Sequence, residues 1–291
     1  MKLVTFEYQG NSRIGALQMQ DGHETIVDLK RAEPQLPTDM IEFLKGGAAM
    51  LQMAEKAVAT ASSEAILERS IVTLKAPIPH PGKIICLGLN YRDHAEESNQ
   101  PLPDYPVVFT KYANSVIGSG EAIVLPKVTD QVDYEAELGV VIGRPAKNVS
   151  KADALNYVAG YVPFNDVSAR DYQLRTSQWT IGKTFDTFGP MGPALVTADE
   201  IPDPHNLDIR LLLGDEVMQS SNTSFLIFTV NDLIAHLSEV MTLEPGDLIS
   251  TGTPGGIGMV RQPPRYLQPG EVVKVEIEGL GVLENPVVAE S

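Results

Sequence analysis

A β-rich α+β fold is predicted by three observations. Short apolar, β-branched runs dominate the chain after residue 82, Gly and Pro separate them, and only two helical stretches interrupt them. Strands that do not alternate with long helices argue against a doubly wound sheet. They point instead to sheets packed together or folded into a barrel-like roll, with a small α+β unit in front.

The elements follow in chain order. Lys2–Tyr8, Ile14–Met19 and Thr25–Asp28 read as short strands, and Met40–Ala61, rich in Ala, Leu, Met, Lys and Glu, reads as helix. Ala76-Pro-Ile-Pro-His-Pro-Gly82 is an extended connector, so residues 1–75 are expected to be a small N-terminal domain and 76–291 a catalytic domain. Beyond it, strands are expected at Lys83–Leu87, Val107–Thr110, Ala122–Leu125, Leu138–Ile142, Tyr157–Phe164, Ala194–Val196, Ile209–Leu213, Asp247–Ser250 and Val272–Ile277. The two helices are expected at Lys151–Val158 and Asn231–Met241. Gly252-Thr-Pro-Gly-Gly-Ile-Gly258 lacks the strand–turn–helix context and downstream acid of a dinucleotide site, and that reading is discounted.

Composition limits the function. The formal charge is −16, from 38 acidic against 22 basic residues, which argues against a nucleic-acid partner and against an anionic membrane surface. An anionic substrate would need a local site of the opposite sign. The single cysteine, Cys86, allows no internal disulfide and no thiolate metal site. No apolar run approaches a membrane span, and the first residues lack the apolar core of a secretory signal; the expected location is cytoplasmic.

The strongest chemical signal is Asp133-Tyr-Glu135-Ala-Glu137, which runs straight into Leu-Gly-Val-Val-Ile. Side chains two apart on a strand share a face, so Glu135 and Glu137 point together, and Asp133 would join them if the strand began that early. Buried like charges need a positive neighbour, and an all-oxygen set suits Mg²⁺ or Mn²⁺. Asp166, at the end of the Tyr157–Phe164 run, is the candidate third ligand. An edge strand with a solvated face is the plainer alternative.

Three further groups carry possible chemistry. His94 and Glu97 are i, i+3 neighbours on a short helix, where the carboxylate can orient the imidazole for acid–base work. Arg170 and Gln173 are suited to a substrate carboxylate, and Lys183, set between Gly182 and Thr184, to an oxyanion or enolate. Thr251 and Thr253, in a Gly/Pro-rich turn, offer hydroxyls and backbone N–H groups. Taken singly, each of these is also an ordinary surface residue or turn.

Together and in this order, Gly88-Leu-Asn-Tyr-Arg-Asp-His94-Ala-Glu-Glu97, Asp133–Gly139, Asn165–Asp171, Gly182–Pro190 and Thr251-Gly-Thr253-Pro resemble the fumarylacetoacetate hydrolase family from about Lys83 onward. The likeness is greatest to the domain-containing-protein 2 branch and to bacterial members that cleave 2,4-dioxo sugar acids. It implies a mixed-sheet roll, usually a homodimer. Glu135, Glu137 and Asp166 would be ligands of Mg²⁺ or Mn²⁺, His94 and Glu97 a water-activating dyad, and Lys183 an enolate stabiliser. Arg170, Gln173 and Thr253 would contact a small anionic 2-oxo acid. The expected activity is hydrolysis of the C–C bond of an acylpyruvate or 2,4-dioxo-3-deoxy sugar acid through an enolate. Oxaloacetate decarboxylation or keto–enol tautomerisation is the alternative, and a non-catalytic metal-binding protein a second.

Overall fold

The computed structural model describes residues 1–291. One eleven-stranded sheet runs through it in the order Ile66–Glu68, His23–Asp28, Asn11–Gln20, Lys2–Tyr8, Leu195–Thr197, Val158–Asn165, Ala136–Ile142, Leu248–Ser250, Ile84–Gly88, Val107–Lys111, with Thr73–Lys75 also paired to Lys2–Tyr8. A five-stranded sheet carries Glu216–Asn222, Asp208–Leu213, Val272–Ile277, Gly281–Ala289 and Ile123–Leu125. Most pairs are antiparallel, but Leu248–Ser250 lies parallel to Ile84–Gly88, so the sheet is mixed. The β-rich α+β architecture is the one the strand pattern predicts.

All seven residues of Ala136–Ile142 are buried, because this strand has neighbours on both sides and is covered on both faces. Its alternate side chains feed two apolar clusters. Leu138, Val140 and Ile142 join Leu211, Val273 and Leu237, while Val141 joins Phe164, Leu248 and the N-terminal residues Leu3 and Phe43. The first 75 residues are thus continuous with the rest through the Lys2↔Val196 pairing and this shared core.

Three differences from the predicted elements have local causes. The expected helix over 40–61 is two, Met40–Lys45 and Gly47–Ala59, because Gly47 takes a positive φ of 57° and breaks the axis. Lys151–Tyr157 is a 3₁₀ helix rather than an α-helix, and Val158 is drawn into the sheet opposite Ile142. Strands Glu216–Asn222 and Gly281–Ala289 have no clear sequence signal: the first is largely polar, and the second contains Pro286, which normally argues against an interior strand. The helix Val230–Val240 forms as expected, with Thr229 and Asp232 in a reciprocal capping box.

Candidate metal centre and substrate pocket

Glu135 immediately precedes the strand Ala136–Ile142 and Glu137 is its second residue, so both point to one side of the sheet. The neighbouring strand Val158–Asn165 ends beside them, and Asp166 follows it directly, its N–H donating to the Glu135 carbonyl at 3.0 Å. Ligand atoms from Glu135, Glu137 and Asp166 lie within 4.8 Å of one another, and all three residues are buried.

Three buried cations surround this cluster. Lys183 Nζ donates to Glu135 Oε2 at 2.6 Å and to Asp166 Oδ2 at 2.9 Å, and Lys111 Nζ donates to Asp166 Oδ1 at 2.7 Å. Arg170 Nη1 pairs with Glu135 Oε1 at 2.7 Å. Burial alone would raise the Glu135 carboxyl, but Lys183 and Arg170 outweigh it and hold the group at about 2. Glu137 has no such partner. Its Oε2 accepts from the Ser250 hydroxyl and the Gly252 N–H, and burial, with Asp166 and Glu135 nearby, pushes its carboxyl well above the ordinary range. A hard divalent cation supplies the charge that Glu137 lacks, through oxygen ligands it prefers. The donor set fits Mg²⁺ or Mn²⁺.

Asp133 does not join the ligands. Tyr134 and Glu135 separate its two-residue strand from Ala136–Ile142, and its carboxylate turns to Arg170 Nε at 2.8 Å and to the N–H groups of Gly258 and Met259. Arg170 is therefore mostly spent on protein partners, which include Gln173 Oε1 at 2.9 Å. Its Nη2 is buried without a protein partner, and the arginine lines the adjacent cavity.

That cavity has a volume of about 400 Å³. Its lining combines polar residues, Glu135, Glu137, Arg170, Gln173, Lys183 and Thr253, with apolar ones, Leu87, Phe109, Trp179, Ile257 and Met259. His94 faces the same space from the helix Arg92–Glu97. Its Nδ1 meets Glu97 Oε1 at 2.9 Å, and Glu97 Oε2 accepts from the Gly256 N–H at 2.8 Å, so the dyad is tied to the Thr253 loop. With Nδ1 held, Nε2 is the ring atom left for proton transfer. Ser98 and Gln100, from the loop after the dyad, also line the cavity. Seven of the nine expected site residues line it; Glu97 reaches it through His94, and Asp166 belongs to the carboxylate cluster.

Two buried groups escaped the sequence reading. Lys111 ends a strand of otherwise unremarkable β-branched and aromatic residues, and its one hint is its place at the inner end of that run. Gln219 sits in a strand that carries no clear sequence signal.

Fold and site together define an enzyme with an all-oxygen cluster suited to a divalent metal and a His–Glu pair whose imidazole faces the same cavity. The chain belongs to the fumarylacetoacetate hydrolase family: residues 83–288 match its model, described as the fumarylacetoacetate (FAA) hydrolase C-terminal domain. It is 48% identical over 292 residues to "Oxaloacetate tautomerase fahd2, mitochondrial" of Xenopus laevis, covering 99% of this chain and 90% of the relative. Among solved structures it resembles fumarylacetoacetate hydrolase from Exiguobacterium antarcticum (36% identity, TM-score 0.85, all of both chains). It also resembles maleylpyruvate hydrolase from Sphingobium sp. SYK-6, solved with manganese(II) and pyruvate (29% identity, TM-score 0.83, all of both chains).

The comparisons correct one expectation. The Xenopus and human relatives are both named as mitochondrial, so the cytoplasmic assignment does not stand. Its basis was the lack of an apolar signal core, which bears only on secretion; mitochondrial leaders are amphipathic and Arg-rich instead.

Proposed function

We propose that the protein is a divalent-metal-dependent oxaloacetate keto–enol tautomerase. The observation that carries this reading is the His94–Glu97 dyad facing the same cavity as the carboxylate cluster. The names of relatives 47–48% identical to this chain support the same substrate. Tautomerisation moves one proton between C3 and the C2 oxygen. A bound Mg²⁺ or Mn²⁺ would act as a Lewis acid for the 2-oxo group and the enolate charge, held by Glu135, Glu137 and Asp166.

The chain's own residues do the rest. His94 Nε2 takes the proton from C3 or the C2 oxygen and returns it to the other, and Glu97 at Nδ1 stabilises the imidazolium in between. Lys183, with burial opposed by Asp166 and Glu135, keeps its proton above the ordinary lysine value and offers a fixed positive charge to the enolate. Arg170 Nη2, Gln173 and Thr253 are the donors for substrate carboxylates.

The test follows the disappearance of enol-oxaloacetate by ultraviolet absorbance with Mg²⁺ or Mn²⁺, while pyruvate release is measured in parallel. Acceleration over buffer without pyruvate is the expected result. Pyruvate formed at the same rate would make the enzyme a decarboxylase, and no acceleration by metal-loaded protein would sink the oxaloacetate reading.

A second reading, hydrolysis of a 2,4-dioxo acid, is favoured by one observation: the cavity of about 400 Å³, with its apolar lining residues, exceeds the needs of a four-carbon diacid. Pyruvate release from an acylpyruvate would establish it. Assembly as a homodimer remains part of this proposal and is checked by sedimentation of the full chain.

A further inference from the structure

We infer that Gln219 is a positioning residue that sets the direction of the Thr253 hydroxyl, making it a donor to the substrate. Gln219 belongs to the five-stranded sheet, away from every element that carries the ligands or the dyad. Its carboxamide nevertheless reaches the site, and it is only 1% exposed.

The approach depends on a β-bulge. In the pairing of Asp208–Leu213 with Glu216–Asn222, Leu211 faces Gln219 but Leu212 faces Val217, so Met218 is the extra residue. Regular alternation would send Met218 and Gln219 to opposite faces, yet both are buried. Bulges re-aim side chains in this way beside active sites. The bulge is clamped from the loop side: Arg261 Nη2 donates to the Met218 carbonyl at 2.6 Å. A Cβ at residue 256 would lie 2.4 Å from that same carbonyl, which requires the glycine found there.

The carboxamide can adopt only one orientation. The Ala136 N–H, between Glu135 and Glu137, can only donate, and it meets Gln219 Oε1 at 2.9 Å. The Pro254 carbonyl can only accept, and it receives Nε2 at 2.8 Å. Nε2 also donates to Thr253 Oγ1 at 2.8 Å. A hydroxyl has one proton and two lone pairs. With a lone pair already used by Gln219 and no other protein partner for Thr253, the proton is directed to the cavity that Thr253 lines. One amide thus fixes both the backbone between two metal ligands and the polarity of a substrate donor.

This inference rests on the 2-oxo acid reading, and oxalate is the probe that separates the two. Trp179 is the chain's only tryptophan and lines the cavity, so its fluorescence reports oxalate binding to Mg²⁺-loaded protein without turnover. Gln219→Glu keeps an acceptor for Ala136 but removes the amide donor, and Gln219→Leu removes both functions. Each should weaken oxalate about tenfold, the value of one hydrogen bond to a charged ligand. Thr253→Val should do the same, and in the Thr253→Val background neither Gln219 change should add to the loss. Mg²⁺ affinity should stay within about twofold in Gln219→Glu, because that variant keeps the acceptor for the Ala136 N–H.

Unchanged oxalate affinity in the Gln219 variants would overturn the inference, as would additive losses in the double variants or a parallel fall in Mg²⁺ affinity. If Mg²⁺-loaded wild-type protein fails to bind oxalate, the 2-oxo acid reading falls and takes this inference with it.

Discussion

Asp133 and Glu137 lie on one short stretch, both fully or almost fully buried, yet their surroundings are opposite. Asp133 has both oxygens filled: Oδ1 takes the N–H groups of Tyr134 and Gly258, and Oδ2 takes Met259 N–H and Arg170 Nε. Glu137 has donors on Oε2 alone, and neither is a cation. Asp133, with a complete set of donors and one cation, braces the structure, whereas Glu137, with no cation of its own, leaves positive charge to be supplied from outside the chain. Both groups are buried carboxylates, and the donors around each, not its type or burial, separate the two.

The largest expected effect breaks the binding side. Glu137→Gln should lower turnover roughly 10³-fold, the several kcal/mol that a Lewis-acid cation supplies. The metal-free variant should melt no lower than wild type, because the change removes a charge whose burial is unfavourable. Asp133→Ala attacks the bracing side instead. It leaves Arg170 Nε buried without its carboxylate and should cost about 3–5 kcal/mol in urea unfolding. If Glu137→Gln destabilised the metal-free protein and Asp133→Ala did not, the roles of the two carboxylates would be reversed.

Next comes His94→Gln, expected to lower kcat about 10²-fold with metal affinity unchanged in a calorimetric titration, since the dyad acts on protons rather than on the cation. Metal addition sharpens the comparison further. At a Mg²⁺ or Mn²⁺ concentration of about 100 times Kd, wild type should gain about 2.7 kcal/mol of stability, and Glu137→Gln should gain almost none. Equal gains in both would remove Glu137 from the ligand set.

The smallest effect is a pH dependence. A carboxyl raised in the folded state costs stability in full above its folded value, and the cost is relieved as pH falls from there to the unfolded value. The melting advantage of metal-free Glu137→Gln over wild type should therefore shrink on acidification toward the ordinary carboxyl value of 4.5. Glu135, held at about 2, stabilises throughout that window, and its contribution is lost only as pH falls below its unfolded value of 4.5. A gap that widens on acidification would contradict the charge assignment at Glu137.

Much of the candidate site was legible because its signals are local. Period-two spacing puts Glu135 and Glu137 on one face, the i, i+3 step joins His94 to Glu97, and Asp166 follows the end of an apolar run. Lys111 and Gln219 were not legible. Each acts through contacts more than 30 residues away in the chain, Lys111 with Asp166 and Gln219 with Ala136 and Thr253. The bulge at Met218 has no sequence mark, and Glu216–Asn222 is a strand only because Asp208–Leu213 holds it.

By itself, the sequence determined the β-rich α+β class, the carboxylate pair, the dyad and the family resemblance, because periodicity and short motifs act over a few residues of backbone. Only the tertiary structure decided which carboxylate is braced by a full set of donors. It also decided that Lys111 and Lys183 share Asp166 while Glu137 is left without a cation, and that a glutamine from the second sheet reaches Thr253. The physical reason is that charge balance and hydrogen-bond direction depend on every group within a few ångströms of a site, and folding gathers those groups from distant parts of the chain.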